Sequence, residues 1–469
     1  MNRYESLAAD LAESIRTGLL RPGDRLPSVR QTSASRGVSP STVFQAYYLL
    51  EARGLIRARE RSGYYVAARV ARLPPEPDAA SQPNEDTVLL DMSDRVFDLL
   101  GSTMDREVVP FGSAFPDPLL FPLERLARLV AASVQRLDPW STVDSLTPGH
   151  APLRRQIALR YLVDGLQVHP DEIVITNGAL EALNLCLATV TRPGDAVVVE
   201  SPTFYAALQS LERNGLRAIE VPTSPREGID LGALERVLAR HAPKACWLMT
   251  NFQNPLGSLM PEAKKRELVE LLARHEVPLI EDDVYGELYF GNQRPAPAKA
   301  FDRKGLVLHC SSFSKCLAPG FRIGWVAPGR YAQAVARHKL STTLTTAAPM
   351  QAALATYLEK AGYDRHLRRM RQALASRQGA FIEAIAKHFP PGTRATRPAG
   401  GYFLWVELPA PADAPAIHQH ALSHGISVAP GPMFSASQAY ANCLRLNYGY
   451  AWDARTEAAL ATLGRLAGT

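Results

Sequence analysis

From Asp91 onward, short apolar runs alternate with helical stretches, and that alternation restricts the fold more than any other feature. The runs Ile173–Thr176, Val197–Glu200, Arg217–Val221, Cys246–Thr250, Pro278–Glu281, Leu306–Cys310 and Arg322–Val326 read as strands. Helical stretches such as Ala179–Val190 and Pro261–His275 lie between them. Short strands separated by helices indicate a large α/β domain, here with a central seven-stranded sheet. After about Tyr331 the helices lengthen, and Gly400–Val406 opens a smaller α+β unit.

The first 72 residues differ from this body. They hold twelve arginines, no lysine and six acids, so they carry the whole net charge of +6; the rest of the chain balances. Charge gathered at one end suggests a nucleic-acid-binding module on a neutral body. A basic face that only aids solubility is the alternative. A helix over Tyr4–Leu20 carries Tyr4, Leu7, Ala8, Leu11 and Ile15 on one stripe. After the turn Arg21–Asp24, a short helix starts near Ser28 and stops before Gly37. Ser39-Pro40 opens a third helix, which ends near Arg53-Gly54. Leu55–Arg59 and Tyr64–Val66, joined by Glu60–Gly63, read as a hairpin.

Three helices and a hairpin describe a winged helix-turn-helix, an α+β domain. Its third helix places Ser41, Thr42 and Gln45 near base edges, while Val43, Tyr47 and Leu50 pack on the first helix. Arg57, Arg59 and Arg61 of the wing suit phosphates. Arg30, Ser39 and Gly63 complete the expected DNA-binding set. The segments Leu26–Arg30, Val38–Val43, Leu49–Ile56 and Ser62–Val66 resemble the GntR family of regulators over essentially all of residues 3–68.

Leu73–Leu90 mixes four prolines with acids and offers little to bury, so it reads as a linker. As a flexible chain it spans roughly 20–25 Å. The expected division is a head at 1–70, a linker at 71–90 and a body at 91–469. The small subdomain takes about 331–469 with part of 91–130.

The body carries a constellation suited to pyridoxal phosphate. That cofactor needs a lysine, an acid at its ring nitrogen, donors for its phosphate and a flat neighbour for its ring. Lys315 follows a predicted strand in Ser311–Lys315, where α/β folds place ligands. Ser312 precedes it by three residues and Arg322 follows by seven, both able to hold phosphate. Asp282 and Asp283 end another strand; the spacing to Tyr285 favours Asp282 as the ring-nitrogen acid. Tyr285 and Asn254 suit the ring's phenolic oxygen, and Phe204 suits stacking. Gly178-Ala179-Leu180 turns from a strand into a helix, whose free amides suit a phosphate. Arg445 lies in an apolar strand and wants an anion, such as a substrate carboxylate.

In this order and spacing the residues resemble fold-type I aminotransferases of class I over about residues 110–465. The resemblance implies Lys315 as the Schiff-base lysine, Asp282 at the ring nitrogen, Tyr285 and Asn254 at the ring oxygen, and Phe204 stacking. It also implies Ser312, Arg322 and the Gly178 turn as the phosphate site, and Arg445 as the carboxylate site. One departure stands at Asp144. There the family commonly has an aromatic, five residues before the glycine of Gly149–Arg154, that reaches the partner's phosphate; an aspartate departs from that pattern.

The two parts together resemble the MocR (GabR-like) subfamily of GntR regulators. The resemblance implies a homodimer whose body senses an amine or amino acid by Schiff-base exchange at Lys315 and shifts the heads on double-stranded operator DNA. Sensing of pyridoxal phosphate itself is a variant of that reading. An active aminotransferase with an accessory DNA-binding head is the alternative, and turnover is left open. No stretch of about eighteen apolar residues suggests a membrane span, and the N-terminus lacks the pattern of a signal peptide. The five cysteines are scattered without metal-site spacing. A cytoplasmic protein without a metal site is expected.

Overall fold

The computed structural model describes residues 3–17, 19–21, 23–52, 55–59, 63–66, 73–77, 80–88, 90, 93, 96, 105–140, 146–360 and 362–468. In the head, helices α1 (Arg3–Arg16), α2 (Val29–Arg36) and α3 (Pro40–Ala52) precede an antiparallel hairpin of β1 (Ile56–Arg59) and β2 (Gly63–Val66). α1 stops short of Leu20. Local chemistry sets the other ends. Ser28 Oγ accepts from the Gln31 amide, and the Gln31 side chain accepts from the Ser28 amide, which satisfies two free donors of α2. Gly37 closes α2 at φ 60°, the left-handed region. Ser39 Oγ accepts from the Thr42 amide at 3.2 Å and caps α3.

Leu7, Ala8, Leu11 and Ile15 of α1 are buried with Val43, Ala46, Tyr47 and Leu50 of α3 and with Ile56 and Val66 of the wing. Tyr47 keeps its buried hydroxyl satisfied: it donates to the Pro27 carbonyl at 2.7 Å and accepts from Thr32 Oγ1 at 2.6 Å. A small core thereby sets which face of α3 turns outward.

The body's main sheet runs, in spatial order, Thr87–Val88, Arg217–Ser224, Ala196–Ser201, Ala245–Leu248, Leu279–Asp282, Val307–Ser312, Gly324–Ala327 and Val174–Thr176. Gly228–Ile229 pairs beside Arg217–Ser224, which makes nine strands rather than the expected seven. All seven expected runs are present and adjacent. The two additional strands are two residues long, too short for apolar periodicity to reveal. Arg217–Ser224 through Val307–Ser312 pair in parallel, and Gly324–Ala327 is antiparallel to both neighbours. The parallel strands therefore end along one side of the sheet, where Ser201, Asp282 and Ser312 lie.

The C-terminal unit is an antiparallel sheet, Arg394–Ala395, Phe403–Glu407, Cys443–Asn447 and Ala429–Pro430, with helices Tyr363–His388, Ala414–Ser423 and Ala454–Leu466. Val109–Pro110 pairs with Ile426–Ser427, so part of the early body joins this unit.

The stretch read as a flexible linker is instead bound to the body over much of its length. Arg397 Nη2 donates to the Pro74 carbonyl at 2.8 Å, and the Ala395 amide to the Pro75 carbonyl at 3.0 Å. Glu76 pairs with Arg226, Glu85 with Arg236 and Asp86 with Arg240. Ser81 Oγ donates to the Ser201 carbonyl and accepts from the Thr223 amide. Thr87 and Val88 add an edge strand against Ile219 and Ala218. Prolines and acids look solvated in sequence because the arginines and edge strand that receive them lie over 100 residues away.

All five cysteines are buried and free. Among the described residues no helix is long and apolar enough to cross a membrane, and no His/Cys/Asp/Glu group is placed to hold a metal ion.

Candidate functional site

Lys315 lies just past the strand Val307–Ser312. Its Nζ donates to the Ala114 carbonyl at 2.9 Å and stands 3.8 Å from the centre of the Phe115 ring. Burial, then the nearby Arg445 and Arg322 cations, lower its pKa to about 7, against the pull of Asp282. An amine held there is substantially neutral, and so nucleophilic, at physiological pH.

The two acids at the end of Leu279–Asp282 separate cleanly. Asp283 is fully engaged: Arg294 Nη2 donates to it at 2.8 Å and Asn251 Nδ2 at 2.9 Å, and His309 Nε2 lies 3.1 Å away. His309 Nδ1 continues to Tyr161 at 2.6 Å. These contacts hold the Asp283 carboxyl below its ordinary range in spite of burial. Asp282 is equally buried, but its Oδ1 has no partner. Burial and the neighbouring Asp283 charge raise its pKa to about 7. A buried carboxylate oxygen without a donor fits a protonated ring nitrogen.

Asn254 and Arg445 carry further orphaned atoms. Arg445, fully buried on Cys443–Asn447, sits between the rings of Phe403 and Phe434, 4.2 and 5.2 Å from their centres. It donates to Asn254 Oδ1 at 3.3 Å and to the carbonyls of Gly112 at 2.6 Å and Ser113 at 3.2 Å; its Nε has no partner. No carboxylate pairs with it among the described residues. Asn254 Nδ2 is also buried without a partner. Tyr285 is buried edge-on to Tyr402 and Phe403, with its hydroxyl pKa raised by burial. An unmet buried polar group costs about 1–3 kcal/mol. Three of them gathered near one lysine point to a polar ligand.

The phosphate side is equally built. Gly178, at φ 85°, precedes the helix Ala179–Val190, whose first amides, including those of Ala179 and Leu180, have no partner within the helix. Arg322 lies against this turn: its Nη2 donates to the Asn177 carbonyl at 3.3 Å and its Nη1 to Ser314 Oγ at 3.3 Å. A methyl at Gly178 would lie 2.3 Å from Arg322 Nη2. Ser312 Oγ accepts from the Ser314 amide at 3.3 Å, leaving its own proton to donate. Phe204 is half-buried at the start of the helix Tyr205–Arg213, its ring 4.8 Å from that of Tyr205. The set fits pyridoxal phosphate: an amine with a lowered pKa, a buried acid with one oxygen free of partners, and a cationic cradle at a helix N-terminus.

Sequence reading missed several members. Ser314 takes part in the cradle, and Tyr402 donates to the Ala114 carbonyl at 3.1 Å beside the lysine. The segment Gly112–Phe115 touches Lys315, Arg445 and Asn447 through successive carbonyls. The run of serines before Lys315 offered a signal for Ser314, and the loop Phe111–Phe121 reads from sequence as shaping the substrate pocket, though its form is not legible there. Asp144 lies outside the described residues.

In the head, Arg30, Ser39, Ser41, Gln45, Arg57 and Gly63 are exposed and Thr42 is half-buried. Arg59 pairs with Gly63 through the hairpin, and Arg61 lies outside the described residues. Arg25, not singled out in the sequence, places its guanidinium beside Gly63.

A mixed sheet with a lysine and an unpaired acid at its strand ends, and an antiparallel C-terminal unit, defines a fold-type I aminotransferase-like body. The chain belongs to the class I and II aminotransferase family, which matches residues 138–462, and its head matches the bacterial regulatory proteins of the gntR family at residues 3–66, the pairing found in MocR-like regulators. It is 50% identical to the HTH-type transcriptional regulator YdcR of Escherichia coli K12, over 99% of each chain. Among solved structures it resembles LysN, the alpha-aminoadipate aminotransferase of Thermus thermophilus, complexed with N-(5'-phosphopyridoxyl)-L-leucine. That match has a TM-score of 0.73 and 32% identity, covering 80% of this chain and 94% of LysN. The kynurenine aminotransferase of Pyrococcus horikoshii, in complex with PMP, gives a TM-score of 0.73 at 30% identity with the same coverage.

Proposed function

We propose that this chain is a pyridoxal-phosphate-dependent transcription regulator. Its body senses an amine or amino acid at Lys315, and its head binds double-stranded operator DNA as part of a homodimer. The observation that carries the reading is the union, in one chain, of a basic winged helix with a cluster of buried polar atoms that stand unpaired near a lysine whose pKa is lowered to about 7.

When bound, the cofactor supplies an aldehyde for primary amines and a ring that draws electrons. Lys315 would be the amine that holds it. Asp282 would keep a proton on its ring nitrogen, while Asn254 Nδ2 and the Tyr285 hydroxyl would donate to its ring oxygen. Phe204 would cover the ring. Ser312, Ser314, Arg322 and the Gly178–Leu180 amides would hold the phosphate. Arg445 would bind the carboxylate of an amino acid. Lys315 would be the group that an incoming primary amine replaces on the cofactor, and its lowered pKa of about 7 would let the released side chain take up a proton near neutrality. A carboxylate on Arg445 must also compete with the Gly112 and Ser113 carbonyls that now occupy it, so binding is coupled to movement of that segment.

Transmission to the head follows from the bound linker. Its start is held by Ala395 and Arg397 of the C-terminal unit, and its end by the Arg217–Ser224 edge of the main sheet. Relative motion of the two units pulls on the chain that leads to the head. For this to switch DNA binding, the ligand must favour one arrangement. The homodimer draws support from exposed Leu159, Leu162 and Val163 on one helix, an apolar surface suited to a second copy.

The test is an absorbance titration of the cofactor-loaded protein with a panel of amino acids and amines, with keto-acid release followed in parallel. A ligand that shifts the cofactor band without sustained turnover, and that changes DNA affinity, is the expected result. Steady multi-turnover transamination with DNA affinity unchanged would replace this reading with an enzymatic one.

A further inference from the structure

The sequence assigned α3 its hydrogen-bonding residues, Ser41, Thr42 and Gln45, but not its exposed aromatics. Phe44 is 54% exposed and Tyr48 64% exposed, whereas Val43, Ala46, Tyr47 and Leu50 on the same helix are wholly buried. With about 3.6 residues per turn, Ser41, Phe44, Gln45 and Tyr48 share one face, opposite the core. Neither Phe44 nor Tyr48 belongs to the head's hydrophobic cluster or to the partly buried residues packed on it. The head core closes without them, so folding of the head does not explain two adjacent rings in water.

The surroundings identify what covers them. The rings lie on the helix whose N-terminal half carries exposed Ser41 and Gln45, in a segment that bears the whole net positive charge of the chain. A polyanion is the complementary surface. In the major groove of DNA the one apolar group that distinguishes bases is the C5 methyl of thymine. We propose that Phe44 and Tyr48 form an apolar reading surface for thymine methyl groups. It adds a preference for thymine at one or two operator positions beside those read by Ser41 and Gln45 through hydrogen bonds. This rests on the DNA-binding role proposed above.

The probe is a duplex selected by the full-length, cofactor-loaded protein from a random-sequence library. Each thymine is then replaced singly by deoxyuridine, which removes the methyl and leaves base pairing intact. At one or two positions the wild-type protein should bind about four-fold more weakly, the worth of one buried methyl. Phe44→Ala or Tyr48→Ala should abolish that difference at its own position while leaving the salt dependence unchanged. Phe44→Leu, which keeps an apolar side chain, should retain part of it. The deoxyuridine scan needs no protein variant, so a folding defect cannot mask it. Indifference of the wild-type protein to every replacement overturns the inference, with DNA binding intact. So does a Phe44→Ala, Tyr48→Ala double variant that still discriminates. If these variants change the oligomeric state and not the thymine preference, the surface belongs to a protein contact and the inference also fails. Failure to enrich any duplex removes the DNA-binding reading itself, and this inference with it.

Discussion

Gly178→Ala tests the phosphate cradle through a single methyl group. Gly178 stands at φ 85° and ψ 171°, a region that side-chain-bearing residues avoid, at a cost of about 1–3 kcal/mol. The new Cβ would also lie 2.3 Å from Arg322 Nη2 and 2.9 Å from its Cζ, so the guanidinium has to leave the turn. The two effects separate experimentally. Strain acts on the apo protein and appears in its denaturation. Displacement of Arg322 acts on the bound phosphate, where a charge-assisted hydrogen bond contributes about 1.5–3 kcal/mol. The dissociation constant for pyridoxal phosphate, read by absorbance or fluorescence titration, should therefore rise about 10- to 150-fold. Arg322→Ala should cost a similar factor, and the double variant little more, because both changes remove one interaction. An affinity within about two-fold of wild type in a folded Gly178→Ala protein would refute the cradle.

The pH dependence of cofactor capture follows from the two groups near neutrality. Lys315 is protonated and unreactive below about 7, and Asp282 gains its charge as pH rises through about 7. Capture should therefore climb with pH through that range, where an exposed lysine would wait for pH near 10; stopped-flow mixing checks it. Lys315→Ala should lose the absorbance of lysine-bound cofactor while keeping the fold by circular dichroism. An unchanged spectrum sinks the assignment. Replacing Arg57, Arg59 and Arg61 by Ala should weaken DNA binding across sequences and lower the salt slope by about 0.9 for each phosphate no longer neutralised; an unchanged slope excludes the wing. Arg397→Ala removes the 2.8 Å bond to the Pro74 carbonyl. It should leave cofactor affinity unchanged and bring the ratio of DNA affinities with and without the amine ligand towards one, as read by fluorescence anisotropy.

Sequence alone determined most of what local chemistry decides. Ser28, Gly37 and Ser39 mark helix ends because caps and left-handed residues act within a few positions. The seven longer strands were legible because their apolar runs lie between helices. The order of Asn254, Asp282, Lys315 and Arg322, each opening, ending or following a strand whose position the pattern implies, together with Arg445 inside an apolar strand, was enough to nominate a cofactor site. Tertiary structure decided the rest. Spacing alone favoured Asp282 over Asp283; only packing shows that Arg294, Asn251 and His309 satisfy one acid and leave the other open. The depressed lysine pKa depends on Arg445, 130 residues away, and on burial that no local pattern encodes. The linker looked free because its acids and carbonyls meet partners remote in the chain, and Gly112–Phe115 gave no sign that its carbonyls cap Lys315 and Arg445. Short-range preferences are written residue by residue, whereas charge partnership and burial belong to surfaces that exist only once distant segments have been brought together.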